Sequence, residues 1–194
     1  MKQLESFFWG AIAALGALVV QFVILMIIST VQNPYGQQLT SLTYLATAWG
    51  IIGAAFVEEL FKYIVIHKRI EYLSLEKTFV VNSLFVGFGF FAVELALLHF
   101  KGVNIFENAA LLAQIGILHA STAGIIGYRI AVRNPKKTYT FISTILIVTA
   151  VHSAYNLLVN YPNALTGALI YCLLGLLVFI TLRDFFRISA KLAG

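Results

Sequence analysis

Six long apolar runs, separated by short polar segments, dominate the sequence. Each has about 20 residues, the length that a helix needs to cross a hydrocarbon core of about 30 Å. Within such a core only helices and closed barrels satisfy every backbone polar group, and runs of this length are typical of helices. The predicted spans cover residues 7–28, 42–66, 78–99, 108–132, 139–159 and 164–182.

The composition agrees with an all-α polytopic membrane protein. Hydrophobic residues make up 60% of the 194 positions and charged residues 11%, whereas a soluble domain is about 25% charged. No long linker, low-complexity segment or clear repeat divides the chain, so residues 1–194 are predicted to form a single transmembrane helical domain. The only cysteine, Cys172, excludes an internal disulfide, and we expect it to pack within the last span.

The basic residues indicate an orientation. When loops are assigned alternately to the two sides, eleven Lys and Arg residues fall on one side and only Lys101 on the other, with Lys62 inside a span. The positive-inside rule then places both termini in the cytoplasm. Basic residues at span ends, without a nucleic-acid motif, predict a lipid bilayer and no nucleic acid as partner. We expect an integral multi-pass protein of a prokaryotic cell membrane.

Ionisable side chains inside the spans are the main functional signal. A charge at the bilayer centre costs about 2.5 to more than 10 kcal/mol, so each such group needs a partner or a purpose. We expect helix packing to gather these groups into one polar chamber. They are Glu58, Glu59, Lys62, Glu94, His119 and His152.

The glutamate pair allows two interpretations. Glu58 and Lys62 are four residues apart, share a helix face, and could form an ion pair that only holds the bundle together. That interpretation leaves Glu59 and the later spans unexplained. Glu59 points about 100° away from Glu58 around the helix axis, so the two carboxylates are expected to serve different partners.

The later spans carry further candidates. His152 and Asn156 share a face, where the imidazole could ligate metal or move protons and the amide could donate to an oxyanion; helix-to-helix hydrogen bonds are the alternative. His119 has no ionisable neighbour on its own face, so its partner must come from another span. Glu94 lies nearer the outer end of its span, whereas Glu58 lies nearer the inner end of its own. Unless helix tilt closes this difference in depth, Glu94 is expected to line a channel or gate.

Other ionisable residues are expected to have ordinary roles. His67 and His99 lie at span ends and are not expected to be catalytic. Loop or interface charges are predicted for Glu71, Glu76, Glu107 and Asp184.

Four motifs occur in one order on successive spans: Glu58-Glu59-x-x-Lys62, Phe90-x-x-x-Glu94, His119 with small residues to Gly124 and Gly127, and His152-x-x-x-Asn156. This pattern resembles the PrsW-type intramembrane proteases of the CAAX-protease and bacteriocin-processing superfamily. The resemblance covers residues 56–156, four of the six spans. Glu94 stands where the CAAX-prenyl branch has histidine, which favours the PrsW branch, whereas Leu95 replaces a polar residue expected in many PrsW-type sequences.

The resemblance implies an endopeptidase that hydrolyses a peptide bond of a membrane protein or peptide within or beside the bilayer. In that scheme Glu58 is the base that activates water, and Glu59 supports it with Lys62 nearby. Glu94 and His119 help to hold water or metal. His152 and Asn156 stabilise the oxyanion.

A metal cofactor and rival functions stay open at this point. Glu94, His119 and His152 with a fourth position left to water would suit catalytic zinc, and the same groups suit a metal-free, glutamate-dependent hydrolysis. A proton- or ion-coupled transporter is the first rival, although no internal repeat supports it. An inactive scaffold or immunity protein of the same fold is the second. The oligomeric state has no signal in the sequence.

Overall fold

The computed structural model describes residues 2–31, 47–70, 76–104, 107–133 and 135–191. These residues form helices and no strands, which confirms the all-α prediction. A π-helical turn, Ile66–Ile70, directly follows the second helix. The helices are α1 (Lys2–Val31), α2 (Ala48–Val65), α3 (Glu76–Phe100), α4 (Ala109–Val132), α5 (Thr138–Asn160) and α6 (Ala164–Lys191).

Five of these helices, all except α2, are long and apolar enough to cross a membrane. The chain is therefore a multi-pass membrane protein. Helix α2 has 18 residues and carries three charged side chains, two glutamates and a lysine, whereas each of the other five helices contains an apolar stretch of that length with at most two. It begins after Thr47, whose hydroxyl accepts a hydrogen bond from the Gly50 amide at 3.1 Å. The predicted start of this span, residues 42–46, lies outside the described residues.

Glycines set the closest helix contacts. A Cβ atom added to Gly87 would collide with the α4 backbone at His119, and one added to Gly127 would collide with the Ser83 side chain. Helices α1 and α3 meet in the same way, since Gly10 lies against Val86. Small residues thus let α3 approach both neighbours, as expected where packing rather than hydrophobicity holds membrane helices together.

The remaining contacts close a ring of five helices. Helix α2 packs between α1 and α5, and α5 returns to α4, while α6 packs outside the ring on α4 and α5. Helix α4 is the most buried of the five membrane-spanning helices and α1 is the least. Side chains from α2, α3, α4 and α5 therefore point towards a common interior.

The sixth helix differs from the prediction in three ways. It continues to Lys191 instead of ending at residue 182, because a run of charged residues without proline or glycine does not stop a helix. Asp184 was expected to be a loop or interface charge, but it is 4% exposed within this helix. Cys172 was expected to pack inside, and that expectation is wrong because its side chain is exposed.

Candidate active site

Glu59 lies at the centre of the bundle with no exposed surface. Its Oε1 atom accepts a hydrogen bond from Lys62 Nζ at 2.7 Å and lies 2.6 Å from His152 Nδ1. The Thr122 hydroxyl also donates to this oxygen at 3.2 Å. A buried carboxylate needs charged and hydrogen-bonding partners of this kind to be tolerated, and here they come from three helices.

The predicted ion pair between Glu58 and Lys62 is wrong. Lys62 pairs with Glu59, three residues before it, and both side chains are completely buried. Three-residue and four-residue spacings both place helix neighbours within reach. The inward face of α2 contains Glu59 and Lys62, so these two residues meet, whereas Glu58 faces another way.

Lys62 connects α2 to α4. Its Nζ atom lies 2.8 Å from His119 Nδ1 and donates to Thr122 Oγ1 at 3.1 Å. It also lies 4.7 Å from the centre of the Phe90 ring, and the same ring stacks on His119 with centroids 4.9 Å apart. The imidazole of His119 is thereby fixed between an ammonium group and an aromatic face.

This arrangement determines the protonation of His119. An ammonium group only donates hydrogen bonds, so His119 Nδ1 accepts and Nε2 carries the proton. That Nε2 atom is in contact with Glu94 Oε2, which is an acceptor. The partner of His119 thus comes from other helices, as predicted, and the expected difference in depth between Glu94 and the glutamate pair is closed.

Glu58 faces a cavity of about 180 Å³. The cavity lies between α1, α2 and α3, and Glu94 and Gln21 also line it. Gln21 Nε2 donates to Glu58 Oε1 and to the Ala54 carbonyl, each at 3.2 Å. Because a water molecule needs only about 10–15 Å³ of such space, the cavity can hold several waters beside two carboxylates.

His152 lies between the two members of the glutamate pair. Its Nδ1 faces Glu59, and its Nε2 lies 3.6 Å from Glu58 Oε2. The second distance is too long for a direct hydrogen bond, so these atoms leave room for a bridging metal ion. Since the Glu59 carboxylate is an acceptor, it holds the proton of His152 on Nδ1 and points Nε2 towards Glu58.

Three of these residues could hold a metal ion. Glu58, His119 and His152 offer one ligand atom each, and these atoms lie within 4.8 Å of one another. Two imidazoles and one carboxylate form a donor set that suits catalytic zinc, and the contact from His152 Nδ1 to Glu59 is the outer-shell support that such ligands usually have. The sequence placed Glu94 in this set instead of Glu58. A metal would compete with Glu94 for Nε2 of His119.

Asn156 is the one predicted site residue that does not share the side-chain contacts described above. It lies half-buried on α5, one turn after His152. Its backbone carbonyl accepts a hydrogen bond from Asn160, but its side-chain amide makes none within the described part of the chain. All the other predicted site residues share one set of contacts, which we call the polar cluster: Glu58, Glu59, Lys62, Glu94, His119 and His152.

Sequence reasoning missed three neighbours of the polar cluster. Gln21 supports Glu58, Thr122 links Lys62 to Glu59, and Phe90 packs on His119. Gln21 carried a usable signal, because an amide in the middle of an apolar span needs a partner. Phe90 belonged to a recognised motif without an assigned role, and a threonine within a run of small residues carries no distinctive signal.

Comparison of the chain with known protein families, with curated proteins and with solved structures gives no match.

Proposed function

We propose that the chain is a PrsW-type intramembrane endopeptidase of a prokaryotic cell membrane, which hydrolyses a peptide bond of a membrane protein or peptide within or beside the bilayer. One observation carries this proposal. Glu58, His119 and His152 come together from three helices with ligand atoms within 4.8 Å, and Glu58 borders a cavity large enough for several waters. Acids and imidazoles at membrane depth are costly, so they usually mark a functional site.

Glu58 is the residue that we assign as general base. It is the member of the glutamate pair that faces the cavity, and its side chain is 20% exposed. In hydrolysis its carboxylate takes a proton from water as the water oxygen attacks the peptide carbonyl carbon. The same proton then passes to the leaving amine. Gln21 donates to one oxygen of this carboxylate, and His152 Nε2 faces the other oxygen at 3.6 Å.

Glu59 is assigned as a positioning residue. It is sealed from the cavity by complete burial and fixes both Lys62 and His152. Its effect on the reaction passes through the orientation of His152. Asn156 is left out of the mechanism, because its amide makes no hydrogen bond among the described residues.

The polar cluster is compatible with zinc and with a metal-free reaction. Zinc would be held by Glu58, His119 and His152, so that Glu58 would then be a ligand and not the base, and the ion when bound would supply a Lewis acid and an activated water. Elemental analysis of the purified protein beside the His119→Ala variant separates the two possibilities. Zinc that is present in the parent and lost from the variant favours the metal-dependent reaction.

The test of the function is Glu58→Gln in proteoliposomes that contain single-span model substrates. Loss of a general base lowers the rate of cleavage by about 10²- to 10⁴-fold. Glu107→Gln is the matched control, because Glu107 is an exposed loop carboxylate held by Asn104. A Glu58→Gln protein that folds and cleaves at the parent rate removes Glu58 from this role.

The same preparations separate the proposal from its two rivals. Ion flux that depends on Glu58 without any cleavage would identify a transporter. Partner binding that survives His119→Ala and His152→Ala, again without cleavage by the parent, would identify an inactive scaffold.

A further inference from the structure

A second cavity, of about 320 Å³, lies between α4, α5 and α6, away from the polar cluster. Its volume falls in the usual range of ligand pockets, roughly 300–1,000 Å³. Isoleucine, leucine and valine side chains form most of its lining. This apolar wall consists of Ile125, Ile147, Val151, Leu173, Leu176, Leu177 and Ile180.

One end of this cavity, which we call its mouth, is basic. Arg129 and Arg133 reach it from the end of α4, and Arg183 and Arg187 reach it from α6. Each pair is separated by one helical turn, so the four guanidinium groups form two short ladders on facing helices. They lie at the helix ends that the charge distribution assigns to the cytoplasmic side.

Only one carboxylate balances these arginines in the cavity lining. Asp184 Oδ1 accepts from Arg183 Nε at 3.0 Å and from Arg183 Nη2 at 2.7 Å. Arg129 is held by neutral groups, since its Nε donates to Thr144 Oγ1 at 2.9 Å and its Nη2 to Ser143 Oγ at 2.7 Å. In the described part of the chain, no salt bridge neutralises Arg129, Arg133 or Arg187.

We propose that this cavity binds an anionic phospholipid, with the phosphate among the arginines and an acyl chain along the apolar wall. Arginine recognises phosphate with paired hydrogen bonds, and basic pockets between membrane helices on the cytoplasmic side suit anionic headgroups. The distance along α6 from Leu173 to Arg187 is roughly 20 Å at 1.5 Å per residue. This length matches a headgroup at the mouth and a lipid tail inside. A free phosphate would use the arginines and leave the apolar wall without a partner.

The experiment measures the binding of phosphatidylglycerol to the purified full-length chain in detergent by native mass spectrometry. Phosphatidylcholine with the same acyl chains is the neutral comparison. The test variant is Arg133→Gln/Arg187→Gln, which removes two exposed charges and spares the hydrogen bonds of Arg129 and Arg183. The control variant, Lys2→Gln/Lys68→Gln, removes two exposed charges from α1 and the π-helical turn.

The parent is expected to retain phosphatidylglycerol in preference to phosphatidylcholine. The arginine variant is expected to bind it roughly tenfold more weakly or worse, and the lysine control is expected to match the parent. Equal retention of the two lipids by the parent, or an equal loss in both variants, would overturn the proposal.

Two further probes use the parent chain without substitution. They therefore test the proposal even if the arginine variant does not fold. Dihexanoyl phosphatidylglycerol is expected to bind the parent at least tenfold more weakly than the dioleoyl lipid, and glycerol phosphate is expected not to displace the dioleoyl lipid. Displacement by glycerol phosphate at concentrations similar to those of the lipid would show a simple anion site and overturn the role of the apolar wall.

Discussion

Glu59 and Lys62 are both completely buried, and each is held in the bundle by the charge of the other. Taking two ions out of water is costly, and a pair of this kind depends on hydrogen bonds from its surroundings as well as on its own attraction. Thr122 and His152 supply such contacts to Glu59 Oε1, whereas Glu59 Oε2 is buried without a hydrogen-bond partner among the described residues. The pair is therefore a point at which a single substitution has a large effect on stability.

Lys62→Met is expected to lower the free energy of unfolding by about 3–5 kcal/mol, because it leaves the Glu59 carboxylate buried without its cation. Denaturant unfolding in detergent micelles, followed by circular dichroism, measures this loss. Lys68→Met, on the exposed face of the π-helical turn, is the matched control. Combining Lys62→Met with Glu59→Gln should restore part of the stability. A Lys62→Met protein as stable as the Lys68→Met control would contradict the structural role given to the pair.

Two buried threonines differ in the hydrogen bonding of their hydroxyl groups. Thr149 Oγ1 is buried and has no hydrogen-bond partner among the described residues, whereas the Thr122 hydroxyl bonds both Lys62 and Glu59. Thr149→Val is expected to leave stability unchanged or raise it by up to about 1 kcal/mol, and Thr122→Val to lower it by about 1–2 kcal/mol. Thermal unfolding of both variants in the same detergent tests the difference. Similar losses in the two would show that Thr149 also has a partner that matters.

The residues of the polar cluster could be predicted largely from the sequence, because charges inside apolar spans are rare and costly. Their pairing could not. The spacing allowed Lys62 to meet Glu58 or Glu59, and the rotation of α2 against its neighbours decides between them. Thr122 was missed because threonines in helices often bond only their own backbone, whereas Gln21 carried a signal that was not used.

At the scale of helices, the contact between α1 and α3 depends on glycine. A Cβ atom at Gly89 would collide with the Phe7 backbone, whereas Gly175 on α6 has open space around its Cα. Gly89→Ala is therefore expected to destabilise the fold by about 1–3 kcal/mol or more, and Gly175→Ala to stabilise it by up to about 1 kcal/mol through helix propensity. Thermal unfolding of the two alanine variants measures the opposite signs. A neutral Gly89→Ala would mean that α1 shifts freely against α3.

Helix positions were predictable from apolar runs to within a few residues for α3, α4 and α5. The end of α6 was not, because hydropathy reports the membrane-spanning part and not the polar turns that continue beyond it. Helix α2 shows the converse. Its described residues form a shorter helix than the predicted span, Ala48–Val65 against residues 42–66, of which 42–46 lie outside the described residues.

At the scale of the whole molecule, the orientation in the membrane can be tested with single cysteines. In a Cys172→Ser background, Lys101→Cys is expected to react with an impermeant maleimide on intact cells, because Lys101 lies on the side predicted to face outward. Lys2→Cys is expected to react only after permeabilisation. The background substitution makes the introduced cysteine the only thiol of the chain. Labelling of both positions from outside would rule out the predicted orientation.

The polar cluster is a property of the folded bundle as a whole. Its six members are spread from Glu58 to His152 in the chain, and they meet because α2, α3, α4 and α5 share an interior. Sequence spacing predicted that such a meeting would occur. It could not predict that α1 would complete the cavity through Gln21. The periodicity of a helix indicates which face is buried, but it does not identify the helix that packs against that face.

The ammonium group of Lys62 has three hydrogens. Glu59 Oε1, His119 Nδ1 and Thr122 Oγ1 take one each, at 2.7, 2.8 and 3.1 Å. No hydrogen of this cation is left over for an incoming carbonyl oxygen. Any group that the cavity admits must therefore be polarised by something other than Lys62.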